Sequence, residues 1–169
     1  MGHDNYPFMV FGIIVASRPL YVLVHELGHA FAALAVGKRP TVMLGNHAPL
    51  LRLEFRRIGF WIHPLMFSGS CIFDKRGLTV AQIRRVVMAG PKATVLILLA
   101  YVFVWYALDA SWLGWAFLGA AVVGFVLLLD EVGKAEEHPG TGDLNDRALI
   151  DLLNQVPADF VPFPETDSH

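Results

Sequence analysis

The pentapeptide His25-Glu26-Leu27-Gly28-His29 lies inside an apolar, helix-like run from Leu20 to Val36, and few folds accommodate that combination. A helix advances about 3.6 residues per turn, so His25 and His29 project one above the other from a single face. Two imidazoles at that spacing can share a metal. With Glu26 beside them they complete an H-E-x-x-H pattern, in which the histidines bind zinc and the glutamate is general base toward a water on the metal. The flanks, Leu20 to Val24 and Ala30 to Val36, suit the interior of a bilayer better than the surface of a soluble protein. Ionisable side chains in mid-span are costly unless they face a cavity and have partners. A pair of core histidines bonded between helices is the plain alternative, but two histidines and a glutamate together need more compensation than packing provides.

The rest of the chain supports a membrane setting. Hydrophobic residues make up 55% of the 169 positions and charged ones only 17%, a balance that favours a small integral membrane protein of one domain. The charges are unevenly placed. Between Lys38 and Lys92 ten Lys or Arg face only Glu54 and Asp74, whereas the segment beyond Asp130 is acidic. By the positive-inside rule the basic loop stays cytoplasmic. Topology and anionic lipid headgroups account for that basicity without nucleic acid, and no nucleic-acid partner is expected. Cys71 is the only cysteine, so neither an internal disulfide nor a cysteine zinc site is available.

The expected fold is mostly α and membrane-integral, with core spans at about 19–36, 80–108 and 112–130. A short N-terminal apolar helix, Pro7 to Ala16, precedes the first span, which starts with Ser17 as cap and Pro19 in its first turn. It lacks the basic stretch of a cleaved signal peptide and reads as retained. Gly37 should end the motif helix, and Gly28 should let another helix approach closely. In the basic loop 37–79, Thr41 to Leu44 and Leu51 to Arg56 read as strands joined by the turn residues Gly45, Asn46 and Pro49, a small hairpin or sheet. Phe60 to Phe73 reads as an aromatic loop dipping into the membrane interface, and Asp74 to Gly77 as a turn. The second span should kink or restart at Ala89-Gly90-Pro91. In the acidic C-terminal segment 131–169, Ala148 to Val156 reads as an amphipathic helix.

Catalytic zinc usually takes three protein ligands. Asp146, after the third span and just before the Ala148 helix, is placed to point back toward the bundle as that third ligand. Asp143, His138 and Asp130 are the alternatives, and Asp146 could instead simply cap the following helix.

His25-Glu26-Leu27-Gly28-His29-Ala30 in the first core span, Ala89-Gly90-Pro91 in the second and an aspartate after the third together resemble the site-2 protease family of intramembrane zinc metalloproteases, in its short bacterial form. The resemblance covers about Arg18 to Leu153. It implies a zinc endopeptidase with Glu26 as catalytic base, His25, His29 and Asp146 as zinc ligands, and no other cofactor. The implied substrate is a membrane protein cut within or near a transmembrane segment, in a bacterial plasma membrane. The basic loop and the C-terminal segment would be cytoplasmic, with room for a regulatory membrane partner. Two positions depart from the family pattern. Thr94 stands where the family carries an asparagine three residues after the Pro, and Asp146 is flanked by Asn145 and Arg147 instead of Leu or Ser and Gly.

Peptide bonds in a transmembrane helix are covered, so a substrate must be unwound before it is cut, and the Leu51 to Arg56 strand offers an edge for holding it. The competing readings are a diiron oxidase or desaturase, for which the other histidines are too scattered, and a catalytically inactive, protease-like membrane protein that binds a partner.

Overall fold

The structure, a computed structural model, describes residues 6–45, 49–108, 111–133 and 154–163. Its described part is mostly helical with one small sheet. The helices are α1 (Tyr6–Ala35), α2 (Val80–Val87), α3 (Ala89–Ala107) and α4 (Trp112–Gly133); the strands are β1 (Thr41–Leu44), β2 (Leu51–Phe55), β3 (Ile58–Ile62) and β4 (Gly69–Ile72).

Three helical stretches are long and apolar enough to cross a membrane, Pro7–Ala35, Val80–Ala107 and Trp112–Leu129. Much of their apolar surface is not covered by the protein itself. Phe11, Leu96, Phe103 and Val126 all stand well out from the bundle, far more exposed apolar area than a water-soluble monomer of this size carries.

The separate N-terminal helix expected at Pro7 to Ala16 does not occur. α1 runs unbroken from Tyr6 to Ala35 with Pro19 inside it. Ser17 does not cap a helix start; its hydroxyl donates back to the Ile14 carbonyl at 2.6 Å, the bond of a residue already inside a helix. Continuity keeps Ile14 packed against the core formed by Tyr21, Leu98, Tyr101 and Ala120, contact that offsets the amide Pro19 lacks. The helix does stop where expected. Gly37 takes φ +83°, the Lys38 amide bonds to the Ala33 carbonyl and the Gly37 amide to that of Leu34, which together satisfy two terminal carbonyls.

α1, α3 and α4 each touch the other two. Tyr21 sits where all three meet. Its hydroxyl donates to the Ala120 carbonyl at 2.6 Å, and its ring meets that of Tyr101 edge-on at 5.4 Å. A side chain at Gly124 would collide with the Tyr21 ring, so α4 can approach only because Gly124 and the neighbouring Ala116, Ala120 and Ala121 are small.

The second span restarts, as its Gly-Pro step implies. α2 opens with a reciprocal Thr79–Gln82 capping box and ends at Met88, after which α3 begins one residue before Gly90. Pro91 falls in the first turn of α3, where the missing N–H costs no helical bond. Residues 154–163 form turns alongside this element. The amides of Gly77, Val80 and Ala81 donate to the carbonyls of Phe163, Phe160 and Ala158, and Val156 packs on Leu78, Val80, Ile83 and Val87. Most of the amphipathic helix expected at Ala148 to Val156 lies outside the described residues; its last three positions, Asn154 to Val156, are turn and bend.

The sheet has the order β2-β3-β1-β4. β2 pairs antiparallel with β3, not with β1 as expected, and β3 lies parallel to β1. The reason is burial. Ile58, Phe60 and Ile62 share the inner face with Val42 and Leu44 against Ala30 of α1, so β3 takes the central place, and charged, exposed β2 goes to the rim. Phe60 to Phe73 is accordingly not a loop but contributes β3 and β4. The turn at Asp74 to Gly77 is present: the Asp74 carboxylate grips the Arg76 guanidinium and Gly77 has φ +72°.

Candidate metal centre

α1 presents two buried stripes. Ser17, Tyr21, His25, His29 and Ala33 recur every fourth residue, while Val22, Glu26, Ala30 and Leu34 lie on the adjoining side toward the sheet. His25, Glu26 and His29 are each only 6% exposed.

Each imidazole is fixed through its Nδ1. His29 Nδ1 lies 2.9 Å from the Val86 carbonyl oxygen. A carbonyl only accepts, so His29 carries its proton on Nδ1. Val86 is in the last turn of α2, where carbonyls need partners from outside the helix. His25 Nδ1 lies 3.0 Å from Thr94 Oγ1, and the Thr94 hydroxyl donates to the Gly90 carbonyl one turn back at 3.3 Å. With the hydroxyl proton directed to Gly90, Thr94 Oγ1 can accept from His25, an arrangement that puts the His25 proton on Nδ1.

The consequence falls on the opposite nitrogens. His25 Nε2 and His29 Nε2 are 3.0 Å apart. In the arrangement with both protons on Nδ1, the two Nε2 lone pairs would face each other across that gap. Such a contact is repulsive until a cation sits between them. Two nitrogens held tetrahedrally by one zinc at its usual bond length are about 3.3 Å apart, close to the 3.0 Å between this pair.

Gly90 leaves the space for it. A Cβ at Gly90 would lie 2.2 Å from His29 Nε2 and 2.7 Å from His25 Nε2, in the gap toward which both nitrogens point. Gly28 has a complementary role: a Cβ there would come within 2.5 Å of the Ala89 carbonyl oxygen, so its absence lets α1 reach the α2–α3 junction. The close approach expected at Gly28 is therefore present.

Glu26 faces the sheet. A Cβ at Gly69 would meet Glu26 Oε1 at 3.0 Å and Val22 Cγ1 at 2.7 Å, so the first residue of β4 is a glycine where the strand crosses the carboxylate. β4 is also a rim strand, bonded only to β1 within the sheet. The strand edge beside Glu26 is thus that of β4. β2, for which that place was expected, is at the far rim.

Among the described residues no group of three His, Cys, Asp or Glu side chains converges on the histidine pair. Asp146 and the alternatives Asp143 and His138 lie outside the described residues, and Asp130 falls in α4. Sequence reading marked Thr94 only as a departure from the family pattern and passed over Val86. Thr94 stands four residues after Gly90, a spacing that puts both on one face of α3; the Val86 carbonyl carries no side-chain signal at all. No protein-family model matches the chain, and no curated protein sequence matches it.

Proposed function

We propose that this protein is a membrane-embedded zinc metalloprotease of the site-2 protease type, hydrolysing a peptide bond within or near a transmembrane segment. One observation carries the reading: two buried imidazoles, four residues apart on an apolar helix, turn their Nε2 atoms to one another at 3.0 Å while each Nδ1 has a partner of its own.

His25 and His29 would hold the zinc, with Asp146 as the third ligand. When bound, zinc supplies Lewis acidity and lowers the pKa of the water it holds toward about 7. Glu26, next to His25 and 6% exposed, takes the proton from the attacking water and passes it to the leaving amine. The β4 edge beside Glu26 holds the substrate extended by strand addition, which presents its carbonyl to the site and keeps it from re-forming a helix. Thr94 and the Val86 carbonyl keep the imidazoles oriented. The three apolar helices support a site within the membrane, and the excess of Lys and Arg in the basic loop supports a cytoplasmic side for that loop and the C-terminal segment.

The test is Glu26→Gln in purified, detergent-solubilised protein, with single-span membrane proteins as substrates. Cleavage should fall by at least about a hundredfold while bound zinc and helicity stay at wild-type levels. Chelator-sensitive cleavage that persists in this variant would remove Glu26 from the base role, and wild-type protein without zinc would overturn the metal assignment.

A further inference from the structure

The β2–β3 hairpin is amphipathic across its own thickness. Leu51, Leu53 and Phe55 lie opposite Ile62, Phe60 and Ile58 in the strand register, so they share the apolar inner face of the sheet. β2 overhangs α1, however, and these three side chains remain 47–63% exposed. The outer face is cationic. There Arg52 pairs with Trp61, its guanidinium 4.8 Å from the ring centroid, and Arg39 and Arg57 join them around a cavity of about 440 Å³ with Thr41 at its floor.

Three features mark the cavity as a site for an anion. Glu54 is the one carboxylate on its wall, which leaves an excess of two positive charges, and no described carboxylate pairs with Arg39, Arg52 or Arg57. Stacking on Trp61 holds the Arg52 guanidinium at the cavity wall, and a guanidinium's fork of N–H donors suits a phosphate. Gly59 keeps the floor open, since a Cβ there would press on Thr41 Oγ1 at 3.0 Å. The hairpin tip also spends conformational strain on charge. Arg56 takes φ +56°, a left-handed conformation that Asn or Gly adopts more cheaply in a two-residue turn.

We propose that the outer face of this hairpin binds the headgroup of an anionic phospholipid, its phosphate diester between Arg39, Arg52 and Arg57. Because β2 is the rim strand, one lipid can straddle it, with its acyl chains along Leu51, Leu53 and Phe55. A soluble phosphate compound would account for the arginines but leave that apolar stripe facing water; a lipid accounts for both. The proposal rests on the membrane placement given above and not on proteolysis.

Native mass spectrometry of the full chain in uncharged detergent tests it, with phosphatidylglycerol, phosphatidylcholine and inorganic phosphate as probes. Arg52→Gln/Arg57→Gln should bind phosphatidylglycerol about 10- to 30-fold more weakly than wild type. Phosphatidylcholine should bind both proteins equally and weakly. A control, Arg84→Gln/Arg85→Gln on exposed positions of α2, should match wild type. The double variant keeping phosphatidylglycerol within twofold overturns the site. An equal loss in the control overturns it too, in favour of a diffuse charge effect. Displacement of the lipid by inorganic phosphate at similar concentration reassigns the cavity to a soluble ligand. Far-ultraviolet circular dichroism establishes that each variant is folded. Carbonate extraction of the wild type tests the membrane placement separately: release into the soluble fraction refutes that placement, whereas loss of lipid selectivity alone refutes only the site.

Discussion

Replacing Thr94 by Val tests the metal-centre geometry most directly, because the change keeps the branched shape and deletes only the hydroxyl. Thr94 Oγ1 lies 3.0 Å from His25 Nδ1 and, as acceptor, would hold the ring with its proton on Nδ1. Thr94 is 5% exposed and His25 6%, so water cannot replace the lost bond. Leaving a buried N–H without an acceptor costs about 1–3 kcal/mol. His25 can escape that cost by moving its proton to Nε2, but this consumes the lone pair that binds zinc. Either way the loss appears in metal affinity, and about 1.4–2.8 kcal/mol corresponds to 10- to 100-fold, the usual effect of removing a group that orients a ligand. Competition against a chromophoric chelator, in detergent at neutral pH, should show zinc binding weakened by that factor. Thr94→Ser, which restores the acceptor, should recover most of it. At saturating zinc the Val variant should regain a large part of its cleavage rate, since Glu26 is untouched. Wild-type zinc affinity in Thr94→Val would refute the orientation argument, and with it the assignment of both protons to Nδ1.

Gly90→Ala should abolish zinc binding and leave the three-helix bundle folded, as its methyl enters the gap between the two Nε2 atoms; zinc content by atomic absorption beside circular dichroism checks this. Asp146→Ala should lower zinc affinity by at least about tenfold while Asp143→Ala does not, measured by the same chelator competition; the reverse result transfers the ligand role to Asp143. In the loop, hydrogen bonds from the Arg76 side chain and backbone hold the Asp74 carboxyl down at about 2. A depressed carboxylate pKa contributes stability above the ordinary value near 4 that is lost as pH falls through the folded value. The Asp74–Arg76 turn should therefore persist at pH 4 and open as pH drops toward 2, followed by the carboxyl carbon shift of Asp74 in nuclear magnetic resonance.

The helices were legible because their signals are strong and local. Long apolar runs, Gly37 at a terminus and a Gly-Pro step each have one cheap structural solution, and each was found in its place. The histidine pair was legible for the same reason, since four residues on a helix fix two side chains on one face. Pro19 misled because proline is an ambiguous signal: it suits a first turn, yet inside a long apolar helix its missing amide is outweighed by the packing of Ile14 and Tyr21 on both sides of it. Strand order failed for a different reason. β2 alternates apolar and charged residues more clearly than β3, and that clean alternation belongs to a rim strand; Ile58 to Ile62, apolar on both faces, belongs in the centre. Adjacency in sequence therefore favoured the wrong pairing. The contacts of Thr94 and Val86 with the histidines were hidden because they depend on how α1 meets the α2–α3 junction, a distance of 57 to 69 residues along the chain.

That junction links metal binding to the fold. His29 ties α1 to the last turn of α2, and His25 ties α1 to the second turn of α3, so the break at Met88 is spanned by two imidazoles from one helix. A straight, unbroken second span would leave the Val86 carbonyl inside its own helix, bonded to the amide of residue 90 and less available to His29. Pro91 and Met88 thus act on the site at one remove: the interruption exposes a carbonyl, the carbonyl sets the His29 tautomer, and the tautomer directs the lone pair toward His25. With the proposed metal between the two Nε2 atoms, helix packing and metal affinity would be one linked equilibrium. A cation that binds the folded pair and not the separated histidines stabilises the contact of α1 with both segments of the second span. The same approach brings Ala89 within reach of Gly28, so the residue that permits the helices to close and one of the two proposed metal ligands occupy successive positions, Gly28 and His29, of a single motif.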